Sequence, residues 1–182
     1  YRARRILISS GGWIKDFLPQ KSKNRFKICR QVLHWIEIDL EFPSWEDSPV
    51  WMWGFGPKAE DFIYGFPSLD GKSVKMATES FVDIDHPDLL RREVSQEEQK
   101  EFWDQKVQGR ISGLRPHFIR SEVCFYTVTE DSRFVIEPWN EDPAALLVSA
   151  CSGHGFKHSA ALGESLAHRL LVDLSKRNAC DP

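Results

Sequence analysis

Cys151-Ser152-Gly153-His154-Gly155-Phe156-Lys157-His158-Ser159 sets two glycines and a basic cluster between two runs of different periodicity. Upstream, Ala145 to Ala150 is a short apolar run suited to a buried strand. Downstream, Ser159 to Leu171 carries its apolar residues at helical spacing. The glycines therefore lie where a strand becomes a helix. A turn of this kind aims backbone N–H groups and the positive end of the helix dipole at whatever lies before it, which favours an anion or an electron-rich ring that becomes anionic. Taken alone it also reads as an ordinary packing turn of an α/β protein.

The 182 residues are 41% hydrophobic and include 12 Phe and 7 Trp, enough apolar material for one substantial core. A net charge of -3, with both signs scattered, leaves no extended basic face, so nucleic acid and anionic membrane are poor partners. No apolar run reaches membrane-spanning length and no charged-then-apolar leader opens the sequence, which favours a cytoplasmic location. Cys29, Cys124, Cys151 and Cys180 are far apart and form no C-x-x-C pair, so reduced thiols are expected rather than a zinc ribbon.

Outward from the turn, Arg4 to Ser9 reads as an apolar strand ending at Gly11-Gly12, with helical residues at Ile14 to Leu18. Such a strand needs neighbours from this chain, another chain or further sequence, because its backbone groups cannot satisfy themselves. After the basic linker Lys21 to Lys27, strands are expected at Ile28 to Leu40, Val50 to Gly54, Asp61 to Gly65 and Ser73 to Thr78, each bounded by turn residues. Ser95-Gln96-Glu97-Glu98 is a capping box and predicts a helix from about residue 96 to 109. Ser121 to Thr129 and Phe134 to Glu137 read as further strands, and the residues after Asp173 as a fraying end. The expected fold is α+β, with an antiparallel or mixed sheet, helices on one side, and an additional strand-helix piece at the start.

Three separated segments, that turn among them, spell a family. Tyr64-Gly65-Phe66-Pro67-Ser68 with Val74-Lys75-Met76, then Val123-Cys124-Phe125-Tyr126-Thr127, then Cys151 to Lys157, resemble in order and spacing the monomeric sarcosine oxidase and N-methyltryptophan oxidase group of FAD-dependent amine oxidases. Arg133-Phe134-Val135-Ile136-Glu137 fills the family's acidic-turn and strand slot. The resemblance covers nearly all of the chain but only the later part of the family's length, and no G-x-G-x-x-G nucleotide loop is present. It implies three segments: residues 1–20 as the end of an FAD-binding domain, 21–140 as a substrate and catalytic domain, and 141–182 as a flavin-contacting strand-turn-helix returning to the FAD domain. The N-terminal FAD-binding half would be supplied in cis or by a separate chain.

The resemblance also implies roles. Cys124 matches the cysteine that holds FAD through a thioether; from composition alone it equally reads as a small buried hydrophobe. Lys75 matches the lysine placed near the flavin N5 edge, where a positive charge favours electron transfer to oxygen, while by strand alternation it equally reads as solvent-facing. Lys157 matches a lysine that helps bind a substrate carboxylate, and Ser152, Gly153, His154, Gly155 and Phe156 would contribute contacts to the flavin. Tyr64 and Tyr126 match positions lining the substrate cavity, or serve as ordinary core aromatics. Glu79 stands where sarcosine-specific members carry a histidine beside the substrate amine, a place where a carboxylate either pairs with an ammonium or selects a different amine. His154 and His158 have i,i+4 spacing, but no H-E-x-x-H pattern accompanies them and no metal is expected.

The implied reaction is oxidation of a secondary amine or N-methyl amino acid by oxygen, giving an imine or aldehyde and hydrogen peroxide. A second reading, from a different class, is a non-catalytic binding or interaction domain derived from such an oxidase.

Overall fold

A computed structural model describes residues 2–42, 45–79, 82–140 and 142–178. The chain divides into two compact units, residues 1–28 with 126–182 and residues 29–125. These boundaries differ from 20 and 140. Phe26 is buried with Ile8, Ile14 and Leu147, and the strand Val135–Trp139 pairs with its successor, so both segments belong with the first unit.

In the first unit, β1 (Ile6–Ile8), β8 (Val135–Trp139) and β9 (Asp142–Ser149) form a mixed sheet in the order β1-β9-β8. β1 is parallel to β9 and β8 is antiparallel to it. Parallel neighbours need a long crossover, and here the whole second unit lies between the two in sequence. The expected helix at Ile14 to Leu18 is instead a 3-10 segment, Gly11–Phe17. Gly11 at φ 58° and the adjacent Gly12 weaken a helical start and Pro19 stops the run, so only a tight turn forms, just long enough to bury Ile14. The helix α2 (Ser159–Asn178) lays Leu166 on Leu146 and Val148, with Leu170 beside them. It continues past Asp173, where fraying is expected from the sequence; the last four residues, Cys180 among them, lie outside the described residues.

In the second unit, β2 (Phe26–Ile38, of which residues 29–38 belong here), β3 (Trp51–Gly54), β4 (Phe62–Gly65), β5 (Ser73–Thr78) and β6 (Val82–Ile84) run in the sheet order β3-β4-β5-β2-β6, and β7 (Leu114–Thr129) also pairs with β2. The β3, β4, β5 and β2 neighbours are antiparallel. Ile36, Ile38, Ile63, Val74, Met76 and Val107 make the core on one side. Trp51 packs against that core and sits opposite Gly65 in register, where a Cβ on residue 65 would fall 2.3 Å from the indole. The glycine of the Tyr-Gly-Phe-Pro segment is thus the space that Trp51 fills.

The capping box forms as the sequence predicts. Glu98 N donates to Ser95 Oγ at 3.2 Å and Ser95 N to Glu98 Oε2 at 3.1 Å. The helix is shorter than expected: α1 (Gln96–Phe102) gives way to a π turn, Trp103–Val107. The wider turn lets both Phe102 and Trp103 pack against the core while Val107 is fully buried, and uninterrupted α-spacing would not bring adjacent residues to one face. Among the described residues, no helix is long and apolar enough to cross a membrane.

Candidate functional site

The site residues expected from the sequence fall into two groups, one in each unit. In the second unit the grouping follows from register. Tyr64 is opposite Ala77 on β5, Lys75 shares the face of Ala77 by alternation, and Lys75 is opposite Trp35 on β2. Phe66 follows in the same register, its N–H donating to the Lys75 carbonyl at 3.1 Å. The neighbouring residues Val74 and Met76 point the other way and are fully buried.

Lys75 is therefore neither in the core nor simply in solvent. It is half-buried, its ammonium 5.3 Å from the Trp35 ring centroid and 5.0 Å from that of Phe66. The Arg120 guanidinium lies 3.8 Å from the Trp35 centroid and reaches Glu122 at 3.7 Å, which puts both β7 residues on this face. The same alternation carries to Cys124, a half-buried thiol. A hollow of about 460 Å³ borders Lys75, lined largely by Trp35, Val50, Phe66, Pro67 and Leu69.

Tyr64 is electrostatically joined to this group. Burial first, then the nearby Glu79 and Cys124, pushes its phenol up to about 12, so the hydroxyl stays neutral at any physiological pH. Its ring meets Phe66 edge-on at 6.0 Å. Glu79, just beyond the end of β5, is exposed as a residue, yet partial burial raises the pKa of its carboxyl. Tyr64 and Lys75 thus share one side of the sheet, with Glu79 and Cys124 close enough to Tyr64 to act on its phenol.

In the first unit, the Cys151 to Lys157 turn is tied to the end of β7. Ser152 N donates to the Thr127 carbonyl at 2.7 Å, Thr127 N to Cys151 Sγ at 3.4 Å and Thr129 N to Ser152 Oγ at 3.4 Å. Ser152 and Gly153 both adopt positive φ, 48° and 76°, which swings the chain out of β9. A Cβ on Gly153 would lie 3.6 Å from the Tyr126 ring, so Tyr126 and the turn are neighbours. A Cβ on Gly155 would lie 1.7 Å from the Ala150 carbonyl oxygen. His154 is held in place by its ring: Nε2 pairs with the Ser132 carbonyl at 2.9 Å and the imidazole stacks on Phe134 at 4.9 Å. Phe156 and Lys157 sit on the short 3-10 turn before α2, with Phe156 94% exposed and Lys157 exposed.

These residues fit a flavin chemically. Gly153 leaves the turn open to close approach, an exposed ammonium stands at the start of a helix, and the buried Thr127 hydroxyl beside the turn has no hydrogen-bond partner among the described residues. Sequence reasoning missed Trp35 and Arg120. Trp35 lies in an apolar strand with nothing local to separate it from core aromatics, and only the cross-strand register reveals its place beside Lys75.

Monomeric sarcosine oxidase of Bacillus sp. (strain NS-129) is 30% identical over 175 residues, covering 92% of this chain and 43% of that protein. N-methyl-L-tryptophan oxidase of Yersinia pestis (strain Pestoides F) is 28% identical over 177 residues, with the same shares. The chain thus spans less than half the length of these relatives. Among solved structures, a variant of NikD, described as an unusual amino acid oxidase essential for nikkomycin biosynthesis, superposes with a TM-score of 0.72 at 14% identity, covering 95% of this chain and 46% of that one. Fructosamine oxidase (Amadoriase II) from Aspergillus fumigatus gives 0.66 at 16% identity, with 93% and 40% covered. These likenesses show a shared fold. The family model for FAD dependent oxidoreductases (DAO) matches residues 1–169, nearly the whole of the sequence: the chain belongs to the FAD dependent oxidoreductases.

Proposed function

We propose that the chain is the flavin- and substrate-contacting portion of an FAD-dependent oxidase that acts on a secondary amine or N-methyl amino acid, with oxygen as acceptor. Imine or aldehyde and hydrogen peroxide are the products. The observation that carries this reading is the single sheet face holding Tyr64, Lys75 and Cys124 within a chain of an FAD-dependent family. FAD, when bound, supplies the two-electron acceptor for the C–H bond beside the amine nitrogen and passes the electrons to oxygen.

Each side chain then has work suited to its environment. Cys124 holds the cofactor covalently. Lys75 presents a positive charge where negative charge develops on oxygen. Tyr64, neutral with its phenol at about 12, lines the substrate cavity as a hydrogen-bonding hydroxyl. Tyr126 lies against the turn at Gly153 and offers a second substrate-binding hydroxyl there. Only a neutral amine gives up hydride readily, and Glu79, whose carboxyl is raised by burial, is a better proton acceptor than a solvated carboxylate. The exposed Lys157 receives a substrate carboxylate, and the backbone of Ser152 to Phe156 contacts the flavin. The remaining FAD contacts come from polypeptide outside this chain, in cis or as a separate subunit; coverage of 43% of the relatives' length supports that arrangement.

The test uses the full-length protein. Yellow colour retained in an acid precipitate, flavin mass on a peptide containing Cys124, and peroxide release with an N-methyl amino acid are the expected results. A protein that stays colourless with its upstream polypeptide present would remove the oxidase reading and leave a binding domain of the same descent.

A further inference from the structure

Lys75 is flanked in register by two aromatic residues, Trp35 on β2 and Phe66 directly after β4, and its ammonium lies within cation–π distance of both rings. Among the described residues, no carboxylate forms an ion pair with it. The difference matters chemically. A carboxylate partner would fix the ammonium and cancel its field, whereas the π faces of two rings attract a cation and leave its net charge in place. The rings are themselves secured. Trp35 carries the Arg120 guanidinium at 3.8 Å, and Phe66 meets Tyr64 edge-on.

We propose that Trp35 and Phe66 are positioning residues for Lys75, forming an aromatic cage that holds its ammonium in one place without neutralising it. This rests on the reading of Lys75 as the group that favours electron transfer to oxygen. The cage converts a flexible four-carbon side chain into a fixed positive point. A preorganised charge of this kind stabilises a developing anion without reorganising at the moment of reaction.

The experiment separates the cage from the role of the lysine. Lysines of the full-length flavoprotein are dimethylated with ¹³C-formaldehyde, and the Lys75 signal is assigned by its absence from Lys75→Arg. In the parent protein that signal lies upfield of the other lysines, shifted by the ring currents of Trp35 and Phe66. Trp35→Leu moves it toward the common position and slows reoxidation of the reduced flavin by oxygen about tenfold, with anaerobic reduction by substrate unchanged. Trp35→Phe restores both readouts to near the parent values.

A Lys75 signal among the other lysines in the parent protein overturns the cage, whatever the variants do. So does Trp35→Leu reoxidising at the parent rate while Lys75→Met is slow. If instead Lys75→Met reoxidises normally while the upfield signal persists, the oxygen role of Lys75 falls, and the positioning proposal with it, although the ring contacts stand.

Discussion

The carbonyl oxygen of Ala150 occupies the space that a side chain on residue 155 would need, 1.7 Å from where the Cβ would lie. Gly155 has ordinary helical φ, so its need is for room rather than for an unusual backbone angle. The obstacle is main chain and cannot rotate aside. Gly155→Ala should destabilise the full-length protein by about 3 kcal/mol or more and loosen the Cys151 to Lys157 turn. Gly163, exposed in α2 with nothing within 4 Å of an added Cβ, is the control: Gly163→Ala should stabilise by about 1 kcal/mol. Chemical denaturation of the two variants checks the contrast.

Cys124 should decide whether colour survives acid. In Cys124→Ala the flavin is expected in the supernatant after acid precipitation, while the parent protein keeps it in the pellet. A parent protein that releases all its flavin would refute the thioether, leaving the family membership untouched.

Lys75→Met should slow oxygen reoxidation by about 100-fold, the loss typical of removing one preorganised group from a developing anion, and leave anaerobic flavin reduction within about twofold. Stopped-flow measurement of the two half-reactions reads both numbers. Equal losses in both would mean a general disturbance of the site.

Glu79 should affect the amine and not the oxygen chemistry. With Glu79→Gln, flavin reduction by substrate should slow and its dependence on rising pH should steepen, because the amine must then lose its proton to water instead of to a carboxyl. Reoxidation by oxygen should be unchanged. Rapid-mixing reduction across a pH series checks the split.

His34 gives the second unit an acid sensitivity of its own. It is 3% exposed between the rings of Phe102 and Phe118, pairs with Ser121 Oγ at 2.9 Å, and has its pKa lowered to about 4 by burial, with Arg30 adding to the effect and Glu98 opposing it. Its folded pKa lies below the unfolded value near 6.5, so the unfolded chain binds the extra proton first. Stability is fully present above about pH 6.5 and falls as pH drops toward 4, by roughly 3 kcal/mol in total. Denaturation midpoints of the parent and of His34→Gln between pH 7 and 4 should converge as pH falls.

Much of the second unit was legible because its strands alternate or end at clear turns. β5 falls on the predicted residues Ser73 to Thr78, and β2 to β4 differ from prediction by one or two residues at their ends. The misses share a cause. β6 is three residues, Val-Asp-Ile, at the edge of the sheet with Val82 61% exposed, and the first half of β7 is mostly exposed and contains Pro116. β6 buries no face and the first half of β7 sets only Leu114 and Phe118 on the core, four residues apart, so neither shows the alternation that marks a strand. The candidate residues were legible through motif order, and the sheet then put Tyr64, Lys75 and Cys124 on one face. The place of Trp35 beside Lys75 was not, because that cross-strand register depends on a contact 40 residues apart in sequence.

Gly65 and Trp51 give a different lesson about the Tyr-Gly-Phe-Pro signature. Its tyrosine shares the face of Lys75 and its glycine faces a tryptophan, so one tetrapeptide answers to two separate pressures. A relative with a small residue at position 51 would be released from the glycine and keep its tyrosine, and a relative that retains the indole would not. Covariation between those two columns, rather than loss of the whole motif, is what divergence within the family should leave behind.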